Sequence, residues 1–180
     1  WLRADAETYT TGTTLATDGQ NVNTWGDQSA NNFDALDGGN GNRPTWVATD
    51  VNYNPGIAFA SGGSSSTGFN LGANYIFADD AEGGMHIFAA IEPADEGTGA
   101  TDKMIYSFGD NPASVVGLGA SQGRLTIQVP GDENSETFTQ PAPEIIIEGD
   151  YDISAGASDT HQVNIDGQLT RTETISYQLN

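Results

Sequence analysis

No cysteine occurs among the 180 residues. That excludes disulfides, thiol nucleophiles and Cys-ligated zinc; it does not exclude secretion. Positive charge is scarce. Lys and Arg number 5, with Lys103 the one lysine, against 25 Asp and Glu, for a formal net charge of -20. Nucleic-acid binders present basic patches and docking on anionic lipid uses polybasic segments, so the balance argues against both partners. No apolar run approaches the roughly 20 residues of a membrane span, and no membrane insertion is expected. Apolar residues nowhere keep helical spacing for three turns, so no helix is expected. The sequence opens on Trp1 with neither Met nor leader, which fits a processed chain or a segment of a larger surface protein.

What is present is a turn-rich globular composition, with 23 Gly and 36% hydrophobic residues. The length suits one domain, residues 1–180, and suffices to bury a substantial core. Short alternating runs recur between Gly, Pro, Asn and Asp. In "GIAFASGG" Ile57 and Phe59 share a face. In "GGMHIFAAIEP" Met85, Ile87, Ala89 and Ile91 oppose His86, Phe88 and Ala90. "DKMIYSFG" groups Met104, Tyr106 and Phe108, and "GRLTIQVPG" groups Leu125, Ile127 and Val129. "HQVNIDGQLT" contains Asp166-Gly167, a two-residue hairpin signal, and "TETISYQL" alternates again. "SGGSSSTG", Ser61 to Gly68, reads as a loop within the domain. Many short strands separated by turns predict an all-β fold, a two-sheet antiparallel β-sandwich.

In the stretch "VNTWGDQSANN" a tryptophan stands in an otherwise solvated turn. Trp25 is expected to be a largely buried plug, its indole N–H requiring a partner. Asp27 and Ser29 suit turns in which the side chain bonds backbone amides nearby, which makes Asp27 a brace rather than a catalyst.

The order of "WLRADA" (Trp1 to Ala6), "VNTWGDQSANNFDAL", "RPTWV" (Arg43 to Val47) and "NYNPGIAFASGG" (Asn52 to Gly63) resembles the laminin-G-like, concanavalin-A-like jelly-roll modules of large secreted bacterial surface proteins, in the lectin/glucanase superfamily. "MHIFAAIEP", "MIYSFG" and "HQVNIDGQL" fall where such modules carry core strands and a hairpin. Ser29-Ala30-Asn31 replaces their usual Ser-Gly-Asn. The resemblance implies a jelly roll, an extracellular or cell-surface location, and adhesion or recognition. It also implies a further closing strand, supplied by more of the parent protein, by a neighbouring copy, or by a strand already within residues 1–180. Fold likeness alone does not assign function.

Three kinds of site follow from the residues. A sugar site needs an exposed aromatic face with converging amides or carboxylates; Trp46, Asn52, Tyr53 and Asn54 supply these types, with core packing the plainer role for Trp46. Calcium needs clustered hard oxygens. "FADDAEGG" offers Asp79, Asp80 and Glu82, "PADEGTGATD" offers Asp95, Glu96 and Asp102, and "QSANNFDALDGG" offers Asn31, Asp34 and Asp37. None matches an EF-hand loop, and a solvated acidic surface is the plainer reading of all three. For a glycosidase, paired carboxylates are required. The nearest pattern is Glu144 and Glu148 in "EIIIEGD", where Pro141 and Pro143 suggest a sheet edge protected by charge. His86 and His161 have no nucleophile motif beside them. The expectation is therefore a non-catalytic module for adhesion or glycan recognition. The alternative is an inert structural spacer, and a polysaccharide-degrading enzyme ranks last.

Overall fold

The computed structural model describes residues 1–37, 43–59, 67–71, 83–92, 103–108, 116–121, 124–129, 132–137, 145–153 and 159–175. The chain divides into two compact units, Trp1–Ile76 and Phe77–Asn180. Both are built from antiparallel strands, so the protein is all-β. Among the described residues the one helical element is a single 3-10 turn, Val51–Tyr53.

In the first unit the strands are short. They are β1 (Thr8–Thr11), β2 (Thr14–Leu15), β3 (Thr24–Trp25), β4 (Ala35–Asp37), β5 (Thr45–Val47), β6 (Gly56–Ala58) and β7 (Phe69–Asn70). Threonine and aromatic residues dominate them, as a pleated half-buried surface favours. Five form one sheet in the order β2-β1-β3-β4-β7, while β5 and β6 form a separate two-stranded ribbon. Strands this short carry few ladder bonds, and the connecting backbone supplies the rest. Val22 N–H donates to the Pro44 carbonyl at 2.8 Å and Trp46 N–H to the Gln20 carbonyl at 2.9 Å. An isolated bridge between Asn21 and Thr45 lies in the same stretch. Val22, Ala35 and Pro44 are fully buried and form the centre of this unit.

The second unit has longer strands. They are β8 (Gly83–Ile91), β9 (Lys103–Phe108), β10 (Val116–Ser121), β11 (Arg124–Val129), β12 (Asp132–Thr137), β13 (Ile145–Ile153), β14 (Asp159–Ile165) and β15 (Gln168–Ile175). They make two four-stranded sheets, β12-β11-β10-β9 and β15-β14-β13-β8. The first is a meander of consecutive strands. In the second, β13 pairs with β8 along its whole length, from Ile145 opposite Ile91 to Ile153 opposite Gly83.

The period of two seen in the sequence of β8 fixes the faces of this second sheet. Ile87, Ala89 and Ile91 lie on the more buried side, as expected, and His86, Phe88 and Ala90 on the exposed side. On β13 Ile145 and Ile147 are buried while Ile146 is 55% exposed, and on β14 Val163 is buried. The Asp166-Gly167 hairpin forms as expected, with φ of 49° and 77° at its two residues. Positive φ at both centres is the type I′ requirement that makes glycine suitable at the second. Asp166 also reaches the neighbouring strand: its N–H donates to the Ile146 carbonyl at 2.9 Å, and its Oδ1 accepts from Ile146 N–H at 2.9 Å.

One expectation is overturned here. The prolines beside "EIIIEGD" predict a charged sheet edge, but β13 lies between β14 and β8. Glu148, within the strand, is therefore not edge protection, and Glu144 lies outside the described residues. The proline pair that suggested an edge precedes the strand rather than interrupting it. Ile145 and Ile147 are buried on one face of the sheet, and β13 is hydrogen-bonded along both flanks.

Candidate functional site

The loop between β5 and β6 carries three of the four residues expected to bind a sugar. Asp50 N–H donates to the Asn54 carbonyl at 2.8 Å, and Asn54 N–H to the Val51 carbonyl at 2.9 Å. These bonds close a tight turn whose central residues, Asn52 and Tyr53, have φ of 48° and 64°. Asparagine tolerates the left-handed region because its short amide bonds locally; a tyrosine there is strained. The Asn54 side-chain amide donates to the Asn52 carbonyl at 3.1 Å and stiffens the turn from outside. Tyr53 is 89% exposed, the most exposed large hydrophobic side chain among the described residues. The turn thus holds an aromatic ring out into solvent between two asparagines.

Asp50 and Gly56 anchor the base of this loop. A Cβ on Gly56 would stand 2.5 Å from the Asp50 Cβ and 2.7 Å from its Cγ. Only a glycine allows the Asp50 side chain to lie across β6. Trp46, the fourth expected residue, is half-buried and its indole N–H donates to the Ala4 carbonyl at 2.6 Å. Its polar handle is committed to the backbone, so within the candidate site Trp46 supports rather than donates.

The turn after β3 has the bracing chemistry expected of it. Asp27 is buried, 4% exposed. Its carboxylate accepts Ser29 N–H at 2.9 Å, Ser29 Oγ–H at 2.5 Å and Phe33 N–H at 3.0 Å, and the amino group of Trp1 lies 2.5 Å from Oδ1. The Trp1 amino group first, then the Ser29 hydroxyl and the two amides, hold this carboxyl well below the usual carboxylate range. Trp25 is partly rather than fully covered, and its indole N–H has the partner expected of it. It is half-buried, its indole N–H donates to the Arg3 carbonyl at 2.7 Å, and its ring tilts against Phe69 at 5.8 Å. Phe69 in turn meets the exposed Phe59 edge-on at 5.9 Å.

The acidic clusters divide by position. Asp79, Asp80 and Glu82, with Asp95, Glu96 and Asp102, lie outside the described residues. In the third cluster Asp34 Oδ1 accepts Asp27 N–H at 3.0 Å, and Asp37 pairs with Arg43 at 2.8 Å. No group of three or more metal-holding side chains occurs among the described residues. No helix among them is long and apolar enough to cross a membrane.

A second group of side chains, which sequence reasoning did not assemble, stands on the exposed face of the β15-β14-β13-β8 sheet. Phe88 lies directly opposite Glu148, and Glu148 directly opposite Asn164. The Asn164 side-chain amide donates to Glu148 Oε2 at 3.0 Å. His86 Nδ1 is 3.7 Å from Glu148 Oε1, and the His86 and Phe88 rings stack at 6.3 Å with 16° between planes. Phe88 is 61% exposed. Alternation in "MHIFAAI" signals that His86 and Phe88 share a face; nothing local signals that Glu148 joins them.

Comparison with family models, with curated proteins and with solved structures finds no match to this chain.

Proposed function

We propose that the protein is a non-catalytic module for carbohydrate recognition or adhesion at a cell surface, and that the Asn52-Tyr53-Asn54 turn contacts the glycan. One observation carries the reading: a fully presented tyrosine ring is held in a strained left-handed turn between two asparagines. Strained backbone persists where surrounding bonds over-determine it, and it concentrates at binding sites. A flat aromatic face stacks on the C–H side of a sugar ring while amides bond its hydroxyls. The fold in this proposal is a two-sheet jelly roll, supported by all-antiparallel strands and by a sheet with one apolar and one mixed face. The location, extracellular or cell-surface, rests on the resemblance of the first 65 or so residues to secreted surface modules. Further domains of a parent protein or neighbouring copies are the natural partners of such a module.

A panel of immobilised glycans tests the reading. Retention on at least one glycan is expected, lost in Tyr53→Ala with an unchanged melting midpoint. Retention that survives Tyr53→Ala together with Asn54→Ala removes the turn from the site. Absence of retention on every glycan favours the structural-spacer alternative.

A further inference from the structure

The Phe88–Glu148–Asn164 row has features of a ligand site rather than of a plain solvated face. We infer that this face of the β15-β14-β13-β8 sheet is a second glycan-contact site, and that it takes amino-bearing, cationic glycans. The inference rests on the carbohydrate reading above and adds a substrate class to it.

Three observations carry it. First, directly opposed residues on adjacent antiparallel strands have Cβ atoms about 4.5–5.5 Å apart. A sugar seated on the Phe88 ring therefore has the Glu148 carboxylate within reach of its substituents. The stacked His86 ring, 56% exposed, extends that platform along β8. Second, Glu148 keeps acceptor capacity. A carboxylate offers about four lone-pair directions. Asn164 occupies one on Oε2 at 3.0 Å, and the 3.7 Å to His86 is longer than a hydrogen bond. The Asn164 bond fixes the carboxylate in place, so a ligand does not have to order it. Third, charge selects among glycans. With 25 acids against 5 bases, the protein repels uronic and sulfated polymers and draws cations toward it. A protonated amine on the sugar ring answers both the global charge and the Glu148 carboxylate beside the aromatic ring, where a cation also gains from the ring face.

The interior face of the same sheet explains why this group is not simply misplaced core. Ile145, Ile147 and Val163 are buried on the opposite side, so the sheet already has its apolar face covered. Glu148, Asn164 and Phe88 are thus placed outward by register and not by default.

The test uses the whole chain and two soluble probes, a glucosamine tetrasaccharide and its N-acetylated counterpart, in buffer where the free amine is protonated. Calorimetric titration is expected to show the amine form binding more tightly by about tenfold, the order of one charge-assisted bond. Glu148→Gln keeps the shape and an oxygen for Asn164; it should abolish the preference between the probes. Phe88→Ala removes an exposed ring and should weaken both probes alike. Equal affinity of the native protein for the two probes, no binding of either, or a preference untouched by Glu148→Gln overturns the inference. Binding lost in Tyr53→Ala but unchanged in Phe88→Ala and Glu148→Gln overturns it while leaving the Tyr53 turn as the glycan site. The converse pattern supports the sheet face and refutes the turn.

Discussion

Gly56→Ala is the sharpest perturbation of the Tyr53 turn, because it acts beneath the turn and not on it. The added methyl would lie 2.5 Å from the Asp50 Cβ and 2.7 Å from Cγ, with the nearer carboxylate oxygen closer still. These are atoms at the root of the Asp50 side chain, so rotating the carboxylate does not clear the space. Either β6 shifts away from β5, breaking the Val47–Gly56 register, or Asp50 moves and loosens its 2.8 Å bond to the Asn54 carbonyl. Forcing one carbon into a filled site costs about 1–3 kcal/mol. Urea unfolding at matched slope should show that loss. A second substitution separates this cause from simple strand damage. Asp50→Gly removes the obstructing Cβ and should restore part of the loss in the double variant, as coupled neighbours do. Asp50→Ala leaves its Cβ in the way and should restore less. A neutral Gly56→Ala, or equal rescue by Asp50→Ala and Asp50→Gly, refutes the reasoning.

Four further outcomes are expected. Ile147→Ala, at a fully buried position on β13, should cost about 2–5 kcal/mol in chemical unfolding; a change within error would place the core of the second unit elsewhere. Asp27→Asn should lower stability at neutral pH. The Asp27 pKa is held below its ordinary 3.8, so its contribution is complete above that value and is lost as pH falls beneath it; the gap between native and variant midpoints must narrow in acid, and a gap that widens reverses the sign. Phe88→Ala should leave the melting midpoint nearly unchanged, because its ring is 61% exposed; a large drop would mean the face is covered. If the segment with Asp79, Asp80 and Glu82 holds calcium, chelation lowers the midpoint; an unchanged midpoint leaves those acids as surface charge.

The all-β class was legible because β8, β11 and the β14–β15 hairpin advertise themselves by alternation and turn chemistry. Strands β10 and β12 were not, since "VGLGAS" and "DENSET" have little of the β-branched, half-apolar character that signals a strand. They are strands through pairing with β11, which lies between them. The bracing role of Asp27 was legible from two-residue turn rules, as its bonds to Ser29 show. The partners of Trp25 were not, because Arg3 and Phe69 are distant in sequence. The same limit hid the Phe88–Glu148–Asn164 row. Cross-strand register between β8 and β13 joins segments that local patterns cannot relate.

The arrangement of the second unit has a kinetic consequence. The chain between β8 and β13 is used for a complete meander of its own, β9 through β12. Two strand groups can therefore form from near neighbours, that meander and the β13–β14–β15 run. The tight Asp166-Gly167 turn, bonded to Ile146, sets the second run's alignment as soon as β13 joins. Hairpins of this kind close in roughly 1–10 μs, whereas distant pairings wait on the entropy of loop closure. Strand β8 is thus expected to dock last, bringing Phe88 against Glu148, and pulse-labelled hydrogen exchange should show its amides protected after those of the β14–β15 hairpin; equal or earlier protection would reverse the order.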